Sequence, residues 1–283
     1  MGILLRLVRS PKGLIGLVLF GTFLVLAILA PVISPADPRK QDIFLRNQPP
    51  LSRMPDGHVS LLGTDELGRD LLTRTLYGIR VSMLVGFCAV ACGGAIGVLL
   101  GMLSGFEGGG VDFILMRLVD AQLSIPLILL AMMWIAFTEP SLVNILVVIV
   151  AAGWVQYARP VRSMTLTLRS SDFVEAARAV GASRRRIYVH HILPNVIPLA
   201  IVIATLQLAA AILMEGSLSF LGVGLQPPTA ALGLMVSSGR RYIDTAWWIC
   251  TFPGLALMFI VLGVYLLGDA LRDTLDPKLR GLS

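Results

Sequence analysis

Residues 81–103 read VSMLVGFCAVACGGAIGVLLGML, an apolar run without a single charged side chain. A transmembrane α-helix needs about 20 such residues to cross the hydrocarbon core of a bilayer. Five further apolar runs of similar length lie on either side of this one along the chain. They cover residues 13–33, 113–137, 141–158, 196–216 and 247–267. The sequence therefore predicts an all-α membrane protein with six transmembrane helices.

Two of these runs are weaker than the others. The fourth run, 141–158, is near the short end of the range for a span. The third run, 113–137, is interrupted by Arg117, Asp120 and Pro126. Five spans are therefore the alternative, whereas an even number would return both termini to the same side of the membrane.

The composition of the 283-residue chain excludes an ordinary soluble domain. Hydrophobic residues make up 56% and charged residues 14%, with a mean hydropathy of +0.82, whereas soluble domains have about 25% charged residues. The net charge of +6 does not indicate nucleic acid, because excess Lys and Arg in a membrane protein usually mark cytoplasmic loops. We expect membrane lipid, and no nucleic acid, as a partner of these basic residues.

The distribution of Lys and Arg predicts the orientation of the chain in the membrane. Segment 1–12 contains three basic residues, and segment 159–186 contains seven. Basic residues near span ends favour the cytoplasm. We therefore divide the chain into a cytoplasmic N-terminus (1–12), a first span (13–33), an extracytoplasmic loop (34–80), a five-span core (81–267) that contains a cytoplasmic polar interval (159–195), and a cytoplasmic tail (268–283).

The polar interval has the pattern of two short helices joined by a sharp turn. Asp172 is suited to the N-cap of the first helix, and Glu175 three residues later resembles the second half of a capping box. Gly181 is suited to the left-handed residue after that helix. Ser183 can cap the second helix, which we expect to end at Pro194. The apolar residues at helical spacing are Phe173, Ala176, Ala177 and Val180.

Two functions for this interval remain open from periodicity alone. An amphipathic helix can lie on anionic lipid, with its arginines at the headgroups. The small residues Ala176 and Ala177 can instead let a helix dock closely into a groove of another protein. A DNA-binding helix-turn-helix is disfavoured, because both ends of the interval are attached to membrane spans.

Several motifs in chain order resemble bacterial ABC importer permeases. EAA at 175–177, with Gly181 and HILPN at 191–195, resembles the EAA loop of the dipeptide, oligopeptide and nickel branch. Further motifs similar to that branch are LGTDELGRD (62–70), YGIRVS (77–82), LSFLGVG (218–224) with QPP (226–228), and DALRD (269–273) with LDP (275–277). Together they extend over nearly the whole chain.

The resemblance implies a translocation subunit that is not itself an enzyme. Its expected partners are a homologous second permease, two ATPase subunits and an extracytoplasmic substrate-binding protein, at the bacterial inner membrane. The polar interval 159–195 would then be the coupling loop, which docks on an ATPase subunit through Glu175, Ala176, Ala177 and Gly181. No Walker A pattern GxxxxGK[ST] is found in the sequence, so ATP and Mg are expected on the partners, with no cofactor or metal on this chain.

Three charged residues near or within the spans are further candidates. Arg117 and Asp120, at i and i+3, are expected to form an intramembrane ion pair or else to line the substrate path. Glu215 could attract the amino terminus of a peptide on that path, or lie at the membrane interface. Peptide is the favoured substrate and a nickel chelate the alternative. An autonomous secondary transporter is a rival class, for which inverted repeats would be expected.

A glycine-rich face in the second span predicts close helix packing. Gly93, Gly94, Gly97 and Gly101 recur at helical spacing. Small residues let the backbones of two membrane helices approach each other.

Overall fold

The computed structural model describes residues 7–8, 10–55, 57, 59–139 and 141–275, and most of these residues are helical. The N-terminal segment 1–12 and the tail 268–283 thus lie partly outside the described residues, as does the LDP motif. The helices are α1 (Pro11–Ile33), α2 (Leu71–Glu107), α3 (Gly109–Ser124), α4 (Leu127–Phe137), α5 (Leu142–Arg169), α6 (Asp172–Ala179), α7 (Arg184–Ile187), α8 (Leu193–Phe220), α9 (Leu232–Gly239) and α10 (Trp248–Leu275).

Shorter elements complete this architecture. Strands β1 (Ser52–Arg53) and β2 (Val59–Ser60) form an antiparallel pair in the first loop. A π-helical turn, Tyr188–Ile192, joins α7 to α8 without a break. Short 3-10 helices span Ile43–Leu45 and Arg240–Tyr242.

The predicted all-α membrane fold is confirmed, with one span bent. Among the described residues, five helical stretches are long and apolar enough to cross a membrane, namely α1, α2, α5, the continuous α7–α8 stretch and α10. Helices α3 and α4 together give a sixth if they count as one span, although their axes differ by 89°. The bend lies at Ile125 and Pro126. Ile125 is extended (φ −99°, ψ 123°), because a following proline disfavours the helical conformation.

Helix α2 begins earlier than the predicted second span. The Asp70 side chain caps it by accepting a hydrogen bond from the Thr73 backbone N–H at 2.7 Å. The predicted loop 34–80 therefore ends at residue 70. With 37 residues, α2 is about 55 Å long, whereas the hydrocarbon core is about 30 Å thick. Helix α2 is therefore longer than the hydrocarbon core is thick.

The first loop is folded onto the N-terminal end of α2. Asp65 accepts a hydrogen bond from Arg69 Nε at 2.6 Å, and both side chains are buried. The Ser60 hydroxyl donates to Asp70 Oδ1 at 2.6 Å. Trp248 Nε1 donates to the Thr64 carbonyl oxygen at 3.3 Å, which joins the loop to α10.

Helices α2 and α5 pack through a glycine seam formed by Gly97, Gly101 and Gly105. A Cβ atom at Gly97 would lie 2.3 Å from the Trp154 carbonyl oxygen. At Gly101 it would lie 2.6 Å from that of Ala158. No side chain fits at such distances, so glycine is what lets the two backbones touch. The predicted small-residue face is therefore a packing surface for α5.

Candidate functional site

The coupling loop begins with a helix whose N-cap differs from the prediction by one residue. Ser171, not Asp172, has the extended N-cap conformation (φ −82°, ψ 147°). Asp172 and Glu175 instead occupy the first turn of α6, where negative charge favours the positive end of the helix dipole. The acidic residues therefore stabilise the start of α6, although neither serves as its cap.

Gly181 ends this helix in the left-handed conformation, with φ at +81°. Its N–H donates to the Arg178 carbonyl oxygen at 2.9 Å, and the Ala182 N–H donates to that of Ala177 at 3.0 Å. These two bonds define a Schellman motif. A residue with a side chain would be strained here, so Gly181 fixes the angle between α6 and α7.

The two faces of α6 are not those expected from the apolar spacing. Val174 (0% exposed) and Ala177 (8%) point into the protein. They pack in one cluster with Met102, Phe106, Val161, Ile187, Ile192 and Val196. Ala177 is therefore an internal packing residue, and the expectation that it lies on the docking face is wrong. The predicted apolar face did not include Val174. Because Val174 is buried, α6 is rotated about its own axis relative to the prediction.

Helix α6 leaves an exposed apolar stripe of Phe173, Ala176 and Val180. Phe173 is 45% exposed and Val180 is 84% exposed. Ala176 and the neighbouring Glu175 are also exposed. Of the four predicted coupling residues, Glu175, Ala176 and Gly181 are therefore on the surface, and only Ala177 is buried.

The coupling loop is held to the C-terminal end of α2 by contacts that the sequence did not suggest. Arg184 Nη1 lies 2.9 Å from Glu107 Oε2, and the Tyr188 hydroxyl donates to Glu107 Oε1 at 3.2 Å. The Arg178 guanidinium stacks 5.2 Å from the centre of the Phe106 ring. The sequence contained one hint of this contact. Glu107 is the first acidic residue after Asp70, and an isolated carboxylate is a natural partner for an arginine of the coupling loop.

The second helix of the coupling loop does not end at Pro194, contrary to the prediction. Helical structure continues from Arg184 to Phe220. The π-helical turn lies directly before the proline, which then occupies the first turn of α8. A missing N–H and a fixed φ are tolerated at such a position. The coupling loop is therefore continuous with the membrane helix that follows it.

Arg117 and Asp120 lie at the contact between α3 and α5. Arg117 Nη1 is 3.6 Å from Asp120 Oδ2, and the side chains are 67% and 44% exposed. Arg159 on α5 also contacts Asp120 through Nη2. The arrangement joins two helices, and Asp120 is shared between two arginines.

Glu215 lies inside the bundle and not on an open path. Its side chain is completely buried. The Ser82 hydroxyl donates to Oε2 at 2.7 Å, and the Ser219 hydroxyl donates to Oε1 at 2.9 Å. The expectation that this carboxylate meets the amino terminus of a peptide therefore does not fit the structure, in which Glu215 joins α8 to α2.

The fold and the loop that contains α6 define a class of protein, a multi-span membrane component in which one face of α6 is exposed. Residues 97–281 match the family described as binding-protein-dependent transport system inner membrane component. Residues 2–50 match the N-terminal TM domain of oligopeptide transport permease C. The chain belongs to the family of binding-protein-dependent inner-membrane transport components.

Curated relatives match over almost the whole chain. The chain is 42% identical to the di/tripeptide transport system permease protein DppC of Pseudomonas aeruginosa, over 95% of this chain and 89% of the relative. It is 41% identical to the probable D,D-dipeptide transport system permease protein DdpC of Escherichia coli, over 96% and 89%. The chain is accordingly a permease subunit of an ABC importer and not an enzyme. This membership disfavours an autonomous secondary transporter.

The fold also matches a solved permease. A chain of the MetNI methionine ABC transporter, in an inward-facing conformation, superposes with a TM-score of 0.59 and is 21% identical. The match covers 75% of this chain and 98% of that chain. It supports the permease fold.

Proposed function

We propose that this permease subunit imports di- or oligopeptides. The observation that carries the proposal is the naming of the relatives, since proteins about 40% identical over nearly the full length are named as di/tripeptide and dipeptide permeases. The alternative, a nickel chelate, would use the same fold. Vesicles that contain the full complex and its cognate binding protein should take up labelled dipeptide when ATP is supplied. Uptake of nickel without any response to peptides would contradict the proposal.

The proposed complex contains a homologous second permease, two ATPase subunits that bind ATP and Mg, and an extracytoplasmic binding protein. Both termini and the coupling loop would be cytoplasmic, and the first loop extracytoplasmic. The basic residues of segment 159–186 support this orientation. Single cysteines at Phe44 and Val180, in a background without the three native cysteines, should be labelled from opposite sides. Phe44 is 95% exposed and Val180 is 84% exposed, so both sites are accessible.

In this proposal the coupling loop transmits ATP-driven motion through its exposed apolar stripe. Phe173, Ala176 and Val180 would contact the ATPase subunit, with Glu175 at the edge of the contact. Val174 and Ala177 fix α6 to the membrane helices. Because α6 is held on one side by apolar packing and is free on the other, it can move with those helices as a rigid body.

The docking proposal is tested with a charge in the stripe. Val180→Asp should reduce ATPase-subunit retention during purification and abolish ATP-driven uptake, because a carboxylate is costly to bury in an apolar contact. The matched control is Phe44→Asp, which places the same charge at an exposed apolar residue of the first loop and should leave ATPase retention unchanged. If the stripe merely rests on lipid, Val180→Asp would keep its ATPase subunits, and the docking proposal would be wrong.

A further inference from the structure

A cavity of about 270 Å³ lies between α2, α5 and α8, beside the start of α4. Its walls are mostly apolar, but they contain two glutamines and a tyrosine. The lining residues that matter here are Ala89, Val90, Leu127, Gln156, Tyr157 and Gln207. Since one water occupies about 30 Å³ in the liquid, the volume corresponds to about nine waters. The space is therefore large enough for a small organic molecule and not only for a bound water.

The polar groups of this cavity have no partners in the described part of the chain. Gln156 on α5 is exposed and Gln207 on α8 is half-buried. Both line the cavity, and neither takes part in any of the side-chain hydrogen bonds found there. The Tyr157 hydroxyl is also unpartnered, and its residue is 2% exposed. By contrast, Gln122 on α3 accepts a hydrogen bond from Trp154 Nε1 at 2.9 Å. Facing lipid is costly for a polar side chain within a membrane span, so the two glutamines are expected to face a polar partner, either another subunit or the substrate.

The chemistry of the two glutamines indicates what they bind. A carboxamide has an acceptor oxygen and a donor NH₂ group, which complement the N–H and C=O of a peptide group. A peptide group that enters an apolar space must find such partners, because leaving it unpaired costs free energy. Neither glutamine has a charge, so they discriminate little between acidic, basic and neutral side chains.

We propose that this cavity is a transient subsite for the peptide backbone, in which Gln156 and Gln207 pair with the amide groups of the substrate. The inference rests on the proposed function. The apolar walls from α2 and α4 then contact substrate side chains without requiring a particular sequence. Each hydrogen bond exchanged with water contributes little net free energy, so the peptide is held weakly and can leave towards the cytoplasm.

The test compares a peptide with its ester analogue in vesicles that contain the full complex and its binding protein. Alanyl-alanine and alanyl-lactate differ by one N–H replaced with oxygen. Gln207→Leu and Gln156→Leu should each lower uptake efficiency for alanyl-alanine by about two- to tenfold. The loss should be smaller for the ester, which lacks the donor. The same binding protein delivers both compounds to wild-type and variant complexes, so its own preference cancels in the ratio.

The control is Gln41→Leu, the same change at an exposed glutamine of the first loop, which should not alter the ratio of peptide to ester uptake. Equal losses for peptide and ester in the cavity variants would overturn the proposal. So would loss of the second permease from the purified variants, since the glutamines would then belong to a subunit contact. If the wild-type complex takes up no alanyl-alanine, the proposed peptide function fails instead, and the two failures are thereby distinguished.

Discussion

Helices α2 and α5 are joined in a different way from the bent pair α3 and α4. Along the glycine seam, backbone touches backbone. In α3, by contrast, Val119 is the only buried residue, and in α4 only Ala131 and Ile135 are buried. All eleven residues of α4 are apolar, but in lipid apolar composition does not by itself draw helices together. The difference shows that residue size, more than hydrophobicity, decides which membrane helices form a close pair.

Polar contacts take the place of close packing where α3 meets α5. Arg162 Nη2 lies 2.6 Å from Asp112 Oδ2. Asp120 is contacted by Arg159, and Gln122 by Trp154. These bonds are directional and few, so α3 is held to α5 by separate polar contacts. Helix α2, in contrast, packs against α5 continuously along the glycine seam.

The largest expected effect comes from adding one methyl group to the seam. Gly97→Ala should destabilise the permease by about 3 kcal/mol, at the upper end for overpacking, because the new Cβ meets backbone atoms that cannot rotate away. Thermal unfolding of the purified complex in detergent measures the change.

The matched control for this substitution lies in the bent pair. A Cβ at Gly110 of α3 would have nothing within 4 Å. Gly110→Ala should be neutral or stabilise by up to about 1 kcal/mol, since alanine favours a helix over glycine. Equal melting temperatures for the two variants would show that the seam is not a rigid contact.

A smaller effect is expected for the contact between Asp112 and Arg162. Their side chains are 21% and 30% exposed. Asp112→Asn leaves the guanidinium without its charged partner and should cost about 1–2 kcal/mol, less than for a fully buried pair because solvent screens part of the charge. A lower melting temperature, together with faster proteolysis of α3, would support the conclusion that separate polar contacts hold α3 to α5. A melting temperature unchanged from wild type would show that α3 is held by other contacts.

The smallest effect is expected for Arg117→Ala. The Arg117 side chain is 67% exposed, and Asp120 retains Arg159 as a partner. The substitution should change stability by less than about 0.5 kcal/mol. A double-mutant cycle with Asp120→Asn measures the coupling between the two residues. A coupling above about 1 kcal/mol would mean that the exposed pair matters more than its geometry indicates.

The sequence predicted the features that depend on composition and on single special residues. The apolar runs gave the spans, because a bilayer requires about 20 apolar residues in a row. Gly181 was placed correctly as a left-handed residue, since few other residues adopt that conformation.

The sequence did not predict features that depend on neighbouring helices. Whether Ala177 faces inward is decided by Val174 and by packing against α2, α5, α7 and α8, and these neighbours are not visible in the periodicity of α6. Glu215 is buried where it accepts a hydrogen bond from Ser82, a residue far away in the chain, and the sequence gives no sign of that contact. Pro194 was predicted to end a helix but lies within a continuous one. The π-helical turn before α8 relieves the constraint that proline otherwise imposes on a helix.

The length of α2 has a mechanical consequence. Its N-terminal end is fixed to the folded first loop through Asp70, and its C-terminal end carries Glu107, to which Arg184 of the coupling loop is bound. No hinge interrupts the helix between these points, so it acts as a stiff lever. Over a length of about 55 Å, a tilt of about 5° moves one end by about 5 Å relative to the other. A small tilt of α2 within the membrane is thus enough to displace the coupling loop relative to the first loop.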